Sequence, residues 1–537
     1  MKEYKRLKDP IYGYINIPID YMNDIIDTSC FQRLRRIIQT SYAPLYSSAV
    51  HNRFVHSIGV YHLGEIASNQ LVREISEKFQ GIDIIEYQKV FLLACLLHDV
   101  GHAPFSHTGE GFYLEDGREY TLLHQKLMEY VDEDAFKEEI PTEGSDAAAA
   151  HEIMSAIVGV KEYGTFFDSS EKRAFFARCI TGYQYKASDT MSEFKNCFIS
   201  LLNSKTIDVD KMDYLIRDAY ITGFDTVNID YERLLTSLTV INTEQGPQLA
   251  YYKSAISVIE NVIYAHDSER KWIQSHPVVL YEGYVLHHII THLCNEMGKD
   301  GKSLFSLESL GKEGQVFADG TKVCLLCDDD IVYLMKNVYP NEMGEEYFER
   351  KNRRHPIWKS EAEYKAFFIG EVTGGRALEA FENAMDDTAQ YLLKNTNSWV
   401  IDEALIEKIS VELQELETAE LDEQSKNVQR KRKSAILKVI NCLKAYADSK
   451  GIICDFVILK ASQFSSGFGK TDFSEINVVF STYEGDFPTK VDIVSSLEAK
   501  ERERERFFYL FYKRKDNEAM ELDNLELCKL LMREFFC

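Results

Sequence analysis

A mainly α-helical protein with a smaller α+β module at its C-terminus is predicted by three features of the sequence. Over roughly the first 400 residues, apolar side chains recur at three- and four-residue spacing, as in helices packed on one face. Short runs of β-branched and aromatic residues near the C-terminus are typical of strands. An apolar fraction of 45% in 537 residues is sufficient for a large core, and roughly 100–200 residues per domain predicts several domains.

The individual elements follow these patterns in chain order. Helices are predicted at residues 25–38, 57–79 and 87–98, and Gly101 and Pro104 interrupt the helical pattern after the last of them. Near the C-terminus we predict a helix at 434–449 and strands at 452–460, 475–482 and 506–514. We therefore expect a helical core at residues 1–300, a helical extension at 301–410 and an α+β module at 411–537.

Composition excludes several classes of partner. The formal net charge is −25, which argues against bulk nucleic-acid binding, because that requires many Lys and Arg residues to neutralise phosphates. The longest clean apolar run, residues 90–97, is far shorter than the roughly 20 residues of a membrane-spanning helix. The eleven cysteines have no disulfide framework, and residues 1–5 lack the apolar core that is typical of a signal peptide. We expect a cytoplasmic protein without a membrane partner.

The apolar run at residues 91–97 ends in a histidine and an aspartate, His98 and Asp99. Two more histidines, His102 and His107, follow directly. An unpaired buried carboxylate is costly, and imidazoles and carboxylates around one point are the ligands of divalent transition metals. For an isolated His-Asp pair, a satisfied helix end is the commoner explanation, so the neighbouring motifs decide between the two.

Two further motifs lie on either side of this one. The string HNRFVHSIG at 51–59 precedes it, and IDVDKMDYLIRD at 207–218 follows it. Histidine, His-Asp and aspartate in this order resemble the HD phosphohydrolase superfamily, and the three strings together resemble the deoxynucleoside triphosphate triphosphohydrolases. The resemblance extends from Lys5 to Phe224 and more weakly to about residue 400. It implies an HD-domain helical core that hydrolyses dNTPs to deoxynucleoside and inorganic triphosphate.

The resemblance implies a metal centre with four ligands, His56, His98, Asp99 and Asp210. Two imidazoles and two carboxylates suit Fe, Mn, Co, Ni or Zn better than Ca, which prefers oxygen ligands throughout. An additional Mg²⁺ is compatible with the same chemistry. A metal of this kind lowers the pKa of water and withdraws charge from phosphorus.

The helix that begins near Asp210 has polar side chains on one face. Lys211, Tyr214 and Asp218 project broadly to the same side as Asp210. Asp213 and Arg217 lie on another side at i,i+4 spacing, and we interpret them as an ordinary ion pair.

The resemblance also identifies substrate contacts, with basic residues at the triphosphate and polar residues at the sugar; these are Gln39, Arg53, Lys211, Tyr214 and Asp218. Arg and Lys suit clustered phosphate charge. Where a human member of the family has a leucine that crowds the 2′-position, this chain has Thr40, whose hydroxyl can hydrogen-bond a hydroxyl of the sugar.

The catalytic residues implied by the resemblance are Asp99, His102, His107, His151 and Glu152. Histidines there would bind phosphate oxygens or protonate the departing 5′-oxygen, since their pKa values lie near neutrality. The alternative is that His102 and His107 only cap a turn. The family's His-Glu pair has a second candidate at His124-Gln125, and we choose His151-Glu152 because Ser155 and Ile157 continue the pattern.

The N-terminal segments resemble an allosteric nucleotide site, with contacts expected from Lys5, Asp27, Gln32 and Arg35. In relatives a guanine nucleotide, GTP or dGTP, binds there between subunits, which implies an activator and a homo-oligomer, either a dimer or a tetramer. The alternative is an exposed helix capped by Asp27.

Two other functions stay open. One is an HD-type nucleotidase or phosphodiesterase acting on another nucleotide, and the other is a nucleotide-sensing regulatory protein that keeps its metal. The Asp210–Asp218 string favours a triphosphate substrate, and intact ligands together with Lys211 favour an enzyme.

Overall fold

The structure is a computed structural model, and its helices and strands confirm the predicted mainly α-helical fold with small sheets. It describes residues 3–41, 43–79, 81–113, 119–141, 147–186, 189–204, 207–224, 228–244, 246–318, 320–351, 353–368, 375–395, 400–418, 422–461, 476–482, 485–491, 507–513 and 524–536. Within these residues, no helix is long and apolar enough to cross a membrane.

The chain forms two compact units. The first comprises Met1–Ile273, Leu286–Pro340 and Ser465–Glu501, and the second comprises Gln274–Val285, Asn341–Phe464 and Arg502–Cys537. The predicted boundaries at residues 300 and 410 stay a prediction, because compactness does not test whether a segment folds alone.

The helices of the chain are mostly short to medium in length. The α-helices are α1 Ile19–Tyr21, α2 Ser29–Gln32, α3 Arg53–Lys78, α4 Ile85–Leu97, α5 His107–Glu110, α6 Glu119–Val131, α7 Asp134–Glu139, α8 Ala150–Glu162, α9 Ser170–Thr181, α10 Thr190–Leu202, α11 Val209–Thr222, α12 Tyr231–Thr236, α13 Ile256–Glu269, α14 Pro277–Glu296, α15 Lys299–Lys302, α16 Leu307–Leu310, α17 Asp328–Tyr333, α18 Glu342–Glu349, α19 Glu361–Phe368, α20 Gly375–Asn395, α21 Glu403–Thr418, α22 Glu423–Lys450 and α23 Asn524–Phe536. Short 3-10 helices lie at Arg33–Arg36, Gly111–Tyr113, Gly164–Phe166 and Lys253–Ala255, and π-helical turns at Met22–Ile26, Arg270–Gln274 and Leu334–Val338.

The strands are β1 Tyr4–Asp9, β2 Gly13–Pro18, β3 Leu238–Thr243, β4 Gly246–Tyr252, β5 Gln315–Val316, β6 Lys322–Val323, β7 Arg354–Pro356, β8 Phe456–Ala461, β9 Ile476–Thr482, β10 Gly485–Val491 and β11 Phe507–Lys513. In the first unit, β1 and β2 form an antiparallel hairpin, β5 pairs with β6, and a four-stranded sheet has the order β10-β9-β4-β3. In the second unit, β7, β11 and β8 form an antiparallel sheet in that order.

The second unit contains most of the predicted C-terminal elements. The predicted helix at 434–449 lies inside α22, and the predicted strands at 452–460 and 506–514 correspond to β8 and β11. The core includes the buried Trp358, whose indole Nε1 donates to the carbonyl of Phe508 at 2.6 Å. Arg354 and Asp455 form a buried bidentate salt bridge, in which Nε donates to Oδ1 at 2.6 Å and NH2 donates to Oδ2 at 2.7 Å.

The structure confirms one further predicted strand and corrects one predicted helix. The strand predicted at 475–482 exists as β9, which pairs in parallel with β4 within the first unit. The helix predicted at 25–38 is instead a series of short turns. It is interrupted at Thr28, whose backbone is extended and whose hydroxyl accepts from the backbone nitrogen of Phe31 to start α2.

Three helix ends of the first unit position the site. Asn52 caps α3 by accepting from the backbone nitrogen of Val55 at 3.3 Å, and Asp208 caps α11 by accepting from Lys211 N at 2.7 Å. In α4 the apolar residues Val90, Phe91 and Leu93–Leu97 are buried, and the helix ends directly before His98. The predicted helices at 57–79 and 87–98 are therefore confirmed as α3 and α4.

Candidate metal and nucleotide site

The four predicted metal ligands converge although they come from three separate segments. His56 lies in the first turn of α3, His98 and Asp99 follow α4, and Asp210 begins α11. The Nε2 atoms of His56 and His98 are 3.2 Å apart. Asp210 Oδ1 lies 2.9 Å from His56 Nε2 and 3.6 Å from His98 Nε2, and Asp99 lies 3.5 Å from His98 Nε2. The side chains thus surround one point.

A hydrogen bond at Nδ1 orients the imidazole of each ligating histidine, His56 and His98. Asp213 Oδ2 accepts from His56 Nδ1 at 2.7 Å, and the carbonyl of Cys95 accepts from His98 Nδ1 at 2.9 Å. With each Nδ1 occupied, the two Nε2 lone pairs are directed toward Asp99 and Asp210. Imidazoles fixed in this way, together with two carboxylates, suit a divalent transition metal, so the residues fit the predicted ion.

The electrostatics of the cluster also favour a cation. Burial lowers the pKa of His56, but its hydrogen bonds with Asp210 and Asp213 outweigh burial and raise the pKa to about 10. Burial raises the pKa of Asp99, whereas the charges of Arg53 and the two histidines lower it to about 2. The carboxylates of Asp99, Asp210 and Asp213 therefore stabilise a positive charge at this place, either on protonated imidazoles or on a metal ion.

Arg53 is buried beside Asp99. Its NH1 donates to Asp99 Oδ2 at 2.9 Å, its Nε donates to Ser106 Oγ at 2.9 Å, and its NH2 approaches the carbonyl of Gln39 at 3.4 Å. The guanidinium predicted to contact phosphate thus also fixes a metal ligand.

The loop after the His-Asp pair is conformationally constrained. Phe105 and Ser106 have φ values of 57° and 53°, which cost free energy in residues other than glycine. Ser106 Oγ donates to the carbonyl of Ile38 at 2.6 Å, and Asp328 accepts from the backbone nitrogen of Phe105 at 2.7 Å and from that of Ile38 at 2.8 Å. These contacts hold the loop beside the segment that contains Gln39.

Three histidines form a second cluster next to the first. The rings of His102 and His151 stack at 4.4 Å, and His107 meets each of them edge-on at 5.3 and 5.2 Å. His102 Nε2 lies 3.5 Å from Asp99 Oδ1, so Asp99 touches both clusters. Neither ring nitrogen of the buried His102 has a hydrogen-bond partner among the described residues. Ligand atoms of the three histidines are mutually within 4.8 Å.

Glu110 holds two of these imidazoles. Its Oε2 accepts from His107 Nδ1 at 3.0 Å, and its Oε1 accepts from His151 Nδ1 at 2.8 Å. Burial opposes a charge on Glu110, but these hydrogen bonds and the nearby imidazoles lower the pKa of its carboxyl below the usual range. Burial lowers the pKa of His151, yet Glu110 outweighs it and raises that pKa.

The close approach of two chain segments brings His151 to this cluster. A Cβ atom at Gly101 would lie 2.4 Å from the backbone of Met154 and Ser155, so only glycine lets the loop contact α8 here. The amide of Gly101 donates to Ser155 Oγ at 3.0 Å. Both contacts place α8 against the loop one turn from His151.

Glu152 and His124 have contacts outside the histidine cluster. Glu152 accepts from the backbone nitrogen of Ala149 at 2.7 Å and from Asn203 Nδ2 at 2.8 Å. His124, the alternative to His151, has its Nε2 2.9 Å from the hydroxyl of Tyr183. The geometry favours His151 over His124, and the catalytic role of Glu152 stays a prediction.

The predicted triphosphate and sugar residues of α11 lie on one helix but have different partners. Lys211 Nζ donates to Asp208 Oδ2 and to the carbonyl of Ser204 at 2.7 Å. Burial and the nearby Glu269 raise the pKa of Tyr214, so its phenol stays protonated. Asp218 is buried and accepts from His51 Nε2 at 2.7 Å.

Three polar atoms near the predicted sugar residues have no hydrogen-bond partner among the described residues. They are Gln39 Oε1, Thr40 Oγ1 and His51 Nδ1, and all three are buried. The amide of Gln39 donates to the carbonyl of His51 at 3.0 Å, which holds the two segments together. A buried polar atom costs free energy unless it forms a hydrogen bond, so these three atoms are candidates for contacts with a ligand.

The four predicted allosteric residues form two pairs. Lys5 Nζ is 3.9 Å from Asp27 Oδ2, and Arg35 Nε donates to Gln32 Oε1 at 2.9 Å. Gln32 Nε2 donates to the carbonyl of Ile26 at 2.7 Å, and the guanidinium of Arg35 lies 3.5 Å above the ring of Phe54.

Sequence reasoning missed three residues that position the site, namely His51, Glu110 and Asp213. Glu110 had a local signal, because it follows His107 at i,i+3 spacing. Asp213 was interpreted as an ordinary ion-pair partner of Arg217, but its carboxylate also orients His56. His51 stands at the start of the recognised motif, yet only the fold shows its partner Asp218.

Comparison with known proteins agrees with this geometry. Residues 53–163 match the model of the HD domain. The chain is 30% identical over 285 residues to the deoxynucleoside triphosphate triphosphohydrolase SAMHD1 homolog of Dictyostelium discoideum, covering 52% of this chain and 47% of that protein. It is 27% identical over 396 residues to deoxynucleoside triphosphate triphosphohydrolase SAMHD1 of Gallus gallus, covering 72% and 59%. It is 29% identical over 263 residues to the uncharacterized protein MG461 of Mycoplasma genitalium, covering 48% and 52%.

The alignments span about half the length of the curated relatives that the chain matches. Together with the match to the HD domain and the cluster of His and Asp side chains, these similarities support an HD-type phosphohydrolase. Residues 53–163 of the chain are therefore similar to the HD domain, and about half of the chain is similar to proteins named as deoxynucleoside triphosphate triphosphohydrolases.

Proposed function

We propose that the protein hydrolyses dNTPs to deoxynucleoside and inorganic triphosphate. The observation that carries this proposal is the adjacency of two clusters joined by Asp99, whose Oδ1 lies 3.5 Å from both His98 Nε2 and His102 Nε2. One cluster has the donors of a metal site, and the other has imidazoles able to bind phosphate or transfer a proton. Relatives named as triphosphohydrolases support the choice of substrate.

The metal would be held by His56, His98, Asp99 and Asp210, and when bound it activates water and withdraws charge from phosphorus. In the proposed reaction, a water molecule releases one proton to solvent as its oxygen forms a bond with the α-phosphorus, and the bond from that phosphorus to the 5′-oxygen breaks. The leaving 5′-oxygen then needs a proton. His151 is a suitable donor because Glu110 raises its pKa. Glu110 contacts the Nδ1 atom of this imidazole, so the proton can be donated from Nε2.

Positive charge for the triphosphate would come from Arg53 and Lys211. Both are already paired with carboxylates, Arg53 with Asp99 and Lys211 with Asp208, so their positions are fixed before substrate binds. Preorganised cations cost little reorganisation during reaction. Such local charge is needed because the chain as a whole has a net charge of −25.

The sugar would lie against the unpaired atoms of Gln39, Thr40 and His51, with Tyr214 and Asp218 nearby on α11. If His51 Nε2 donates to Asp218, its Nδ1 is an acceptor, as is Gln39 Oε1. A hydroxyl group of the sugar could donate to either. The hydroxyl of Thr40 can donate or accept, which supports testing ribonucleotides together with deoxyribonucleotides.

A guanine nucleotide, GTP or dGTP, would activate the enzyme at the surface formed by Lys5, Asp27, Gln32 and Arg35. Asp27 can accept from the N–H edge of guanine, and Lys5 and Arg35 can neutralise phosphate. We also propose a homo-oligomer, because an activator bound between subunits would link assembly to activity.

The test is a product assay with purified protein. Each dNTP and NTP is incubated with Mn²⁺, Co²⁺, Fe²⁺, Ni²⁺ or Zn²⁺, with and without Mg²⁺, and the products are separated by chromatography. Deoxynucleoside and triphosphate are expected, and Asp210→Ala should lose metal and activity while its circular dichroism is unchanged. Nucleoside monophosphate as the product would instead identify a different HD phosphohydrolase.

A further inference from the structure

The hairpin of β1 and β2 begins a chain of buried contacts that ends at the metal cluster. In its turn, Asp9 Oδ1 accepts from the backbone nitrogens of Ile11 at 2.8 Å and Tyr12 at 3.0 Å. These bonds fix the turn. The second oxygen of the buried Asp9, Oδ2, accepts from Arg217 NH1 at 3.0 Å. The hairpin turn is thereby attached to α11.

Arg217 of α11 and Tyr12 of the turn together fix the carboxylate of Asp213. Arg217 donates from Nε and NH2 to the two oxygens of Asp213, each at 2.9 Å. The hydroxyl of Tyr12 donates to Asp213 Oδ1 at 2.8 Å. Arg217 and Asp213 are almost fully excluded from solvent, and hydrogen bonds between buried charged groups are strong and directional. Burial raises the pKa of Tyr12, so its hydroxyl stays protonated and remains a donor.

Asp213 transmits this constraint to His56. Its Oδ2 accepts from His56 Nδ1 at 2.7 Å, which directs His56 Nε2 toward Asp210. Helix α3 leaves space for the arrangement at Gly59, where a Cβ atom would lie 1.9 Å from Asp213 Oδ1 and 2.5 Å from Arg217 NH2. A carboxylate behind a ligating imidazole fixes its tautomer and orientation.

We propose that Asp9 and Tyr12 are positioning residues of the metal centre, and that the N-terminal hairpin sets the orientation of His56 through Asp213. The inference rests on the proposed role of His56 as a metal ligand. It assigns the hairpin a task in addition to the predicted nucleotide contact of Lys5. Neither Asp9 nor Tyr12 touches the metal, so their effect is measured as metal affinity.

The test compares Co²⁺ binding by the metal-depleted full-length protein and its variants, followed by visible absorption and equilibrium dialysis. Asp213→Asn should weaken binding on the order of 10- to 100-fold, as for other groups that orient a ligating histidine. Tyr12→Phe removes one hydroxyl and should weaken it about two- to tenfold. Asp9→Asn can keep the turn bonds through its amide oxygen but loses the charge that faces Arg217, so it should also weaken binding.

Tyr14→Phe is the matched control. Tyr14 lies on the same hairpin, is 65% exposed and packs its ring under Lys8, away from Asp213. This variant should bind Co²⁺ as the wild type does, with the same absorption bands. Tyr12→Phe should shift those bands, because the orientation of His56 changes, and its circular dichroism without metal should be that of the wild type.

The possible outcomes separate the inference from the proposed function. If wild type binds Co²⁺ and His56→Ala does not, but Tyr12→Phe and Asp9→Asn bind with unchanged affinity and spectra, the inference is wrong and the metal site stands. If the wild type binds no Co²⁺, or if His56→Ala binds Co²⁺ as tightly as the wild type does, both the inference and the proposed metal site are wrong. If Asp9→Asn fails to fold, Tyr12→Phe decides, since it removes a single oxygen atom.

Discussion

Replacing Glu110 with glutamine removes the charge shared by His107 and His151 while keeping the size of the side chain. The carboxylate accepts from both Nδ1 atoms, at 3.0 and 2.8 Å, and from the backbone nitrogen of His151 at 3.2 Å. An amide has only one acceptor oxygen, so at least one imidazole loses its acceptor and faces an NH2 group instead. We expect Glu110→Gln to retain its metal, because none of these contacts involves the ligands.

The expected loss of activity follows from the proton that His151 would donate. Glu110 raises the pKa of His151, so removing the charge lowers that pKa and reduces the protonated fraction near neutral pH. A positioned general acid contributes roughly 10²- to 10⁴-fold in rate. The value of kcat should therefore fall within that range, equivalent to about 3 to 5 kcal/mol in activation free energy. The alkaline limb of the kcat profile should move to lower pH.

The assay is steady-state hydrolysis of the preferred nucleotide across the pH range in which histidine titrates. Glu86→Gln is the control, because Glu86 is an exposed residue of α4 that pairs with Lys89 and Lys172. It should have the kcat and pH profile of the wild type. A Glu110→Gln enzyme with unchanged kcat and an unshifted alkaline limb would refute the role given to Glu110.

Three further predictions concern the metal, the triphosphate and regulation. Metal affinity should rise with pH, because the metal-free His56 has a pKa raised to about 10 and that of His98 is also raised, so binding below those values releases protons. For each proton released on binding, the metal affinity should decrease up to about tenfold when the pH is lowered by one unit. Co²⁺ titrations that give the same affinity at every pH would contradict this prediction. Lys211→Ala should raise KM, lower kcat or both by about 1.5–3 kcal/mol in total, without removing metal. Kinetics with elemental analysis checks this, and loss of the metal would argue against a triphosphate role. Asp27→Ala should keep its metal and basal rate but lose stimulation and assembly by GTP or dGTP. Sedimentation and rate measurements test this, and stimulation equal to that of the wild type would contradict it.

The residues that could be predicted from sequence are those whose chemistry is contained in short strings. His98 and Asp99 stand out because charged groups end an apolar run, and α3 and α4 follow from three- and four-residue spacing. The convergence of His56 and Asp210 on that pair was an expectation from motif order. The structure places all of these side chains around one point.

What could not be predicted depends on contacts between distant segments or on local competition. Asp213 and His56 are 157 positions apart, and the i,i+4 spacing of Asp213 and Arg217 is satisfied equally by a surface ion pair and by a buried one. The parallel pairing of β9 with β4 is likewise non-local. The prediction of one helix at 25–38 was wrong because the side chain of Thr28 caps a new helix, α2. This side-chain bond to the backbone competes with a continuous helix, and the spacing of apolar residues does not reveal it.

The central claim, cleavage between the α-phosphorus and the 5′-oxygen, is tested most directly by hydrolysis in water enriched in ¹⁸O. Phosphorus NMR identifies the first product and shows which phosphorus has gained the heavy oxygen. We predict intact inorganic triphosphate with one ¹⁸O on a terminal phosphorus, together with unlabelled deoxynucleoside. Pyrophosphate or orthophosphate as the first product, or ¹⁸O in the 5′-hydroxyl, would contradict the proposed reaction.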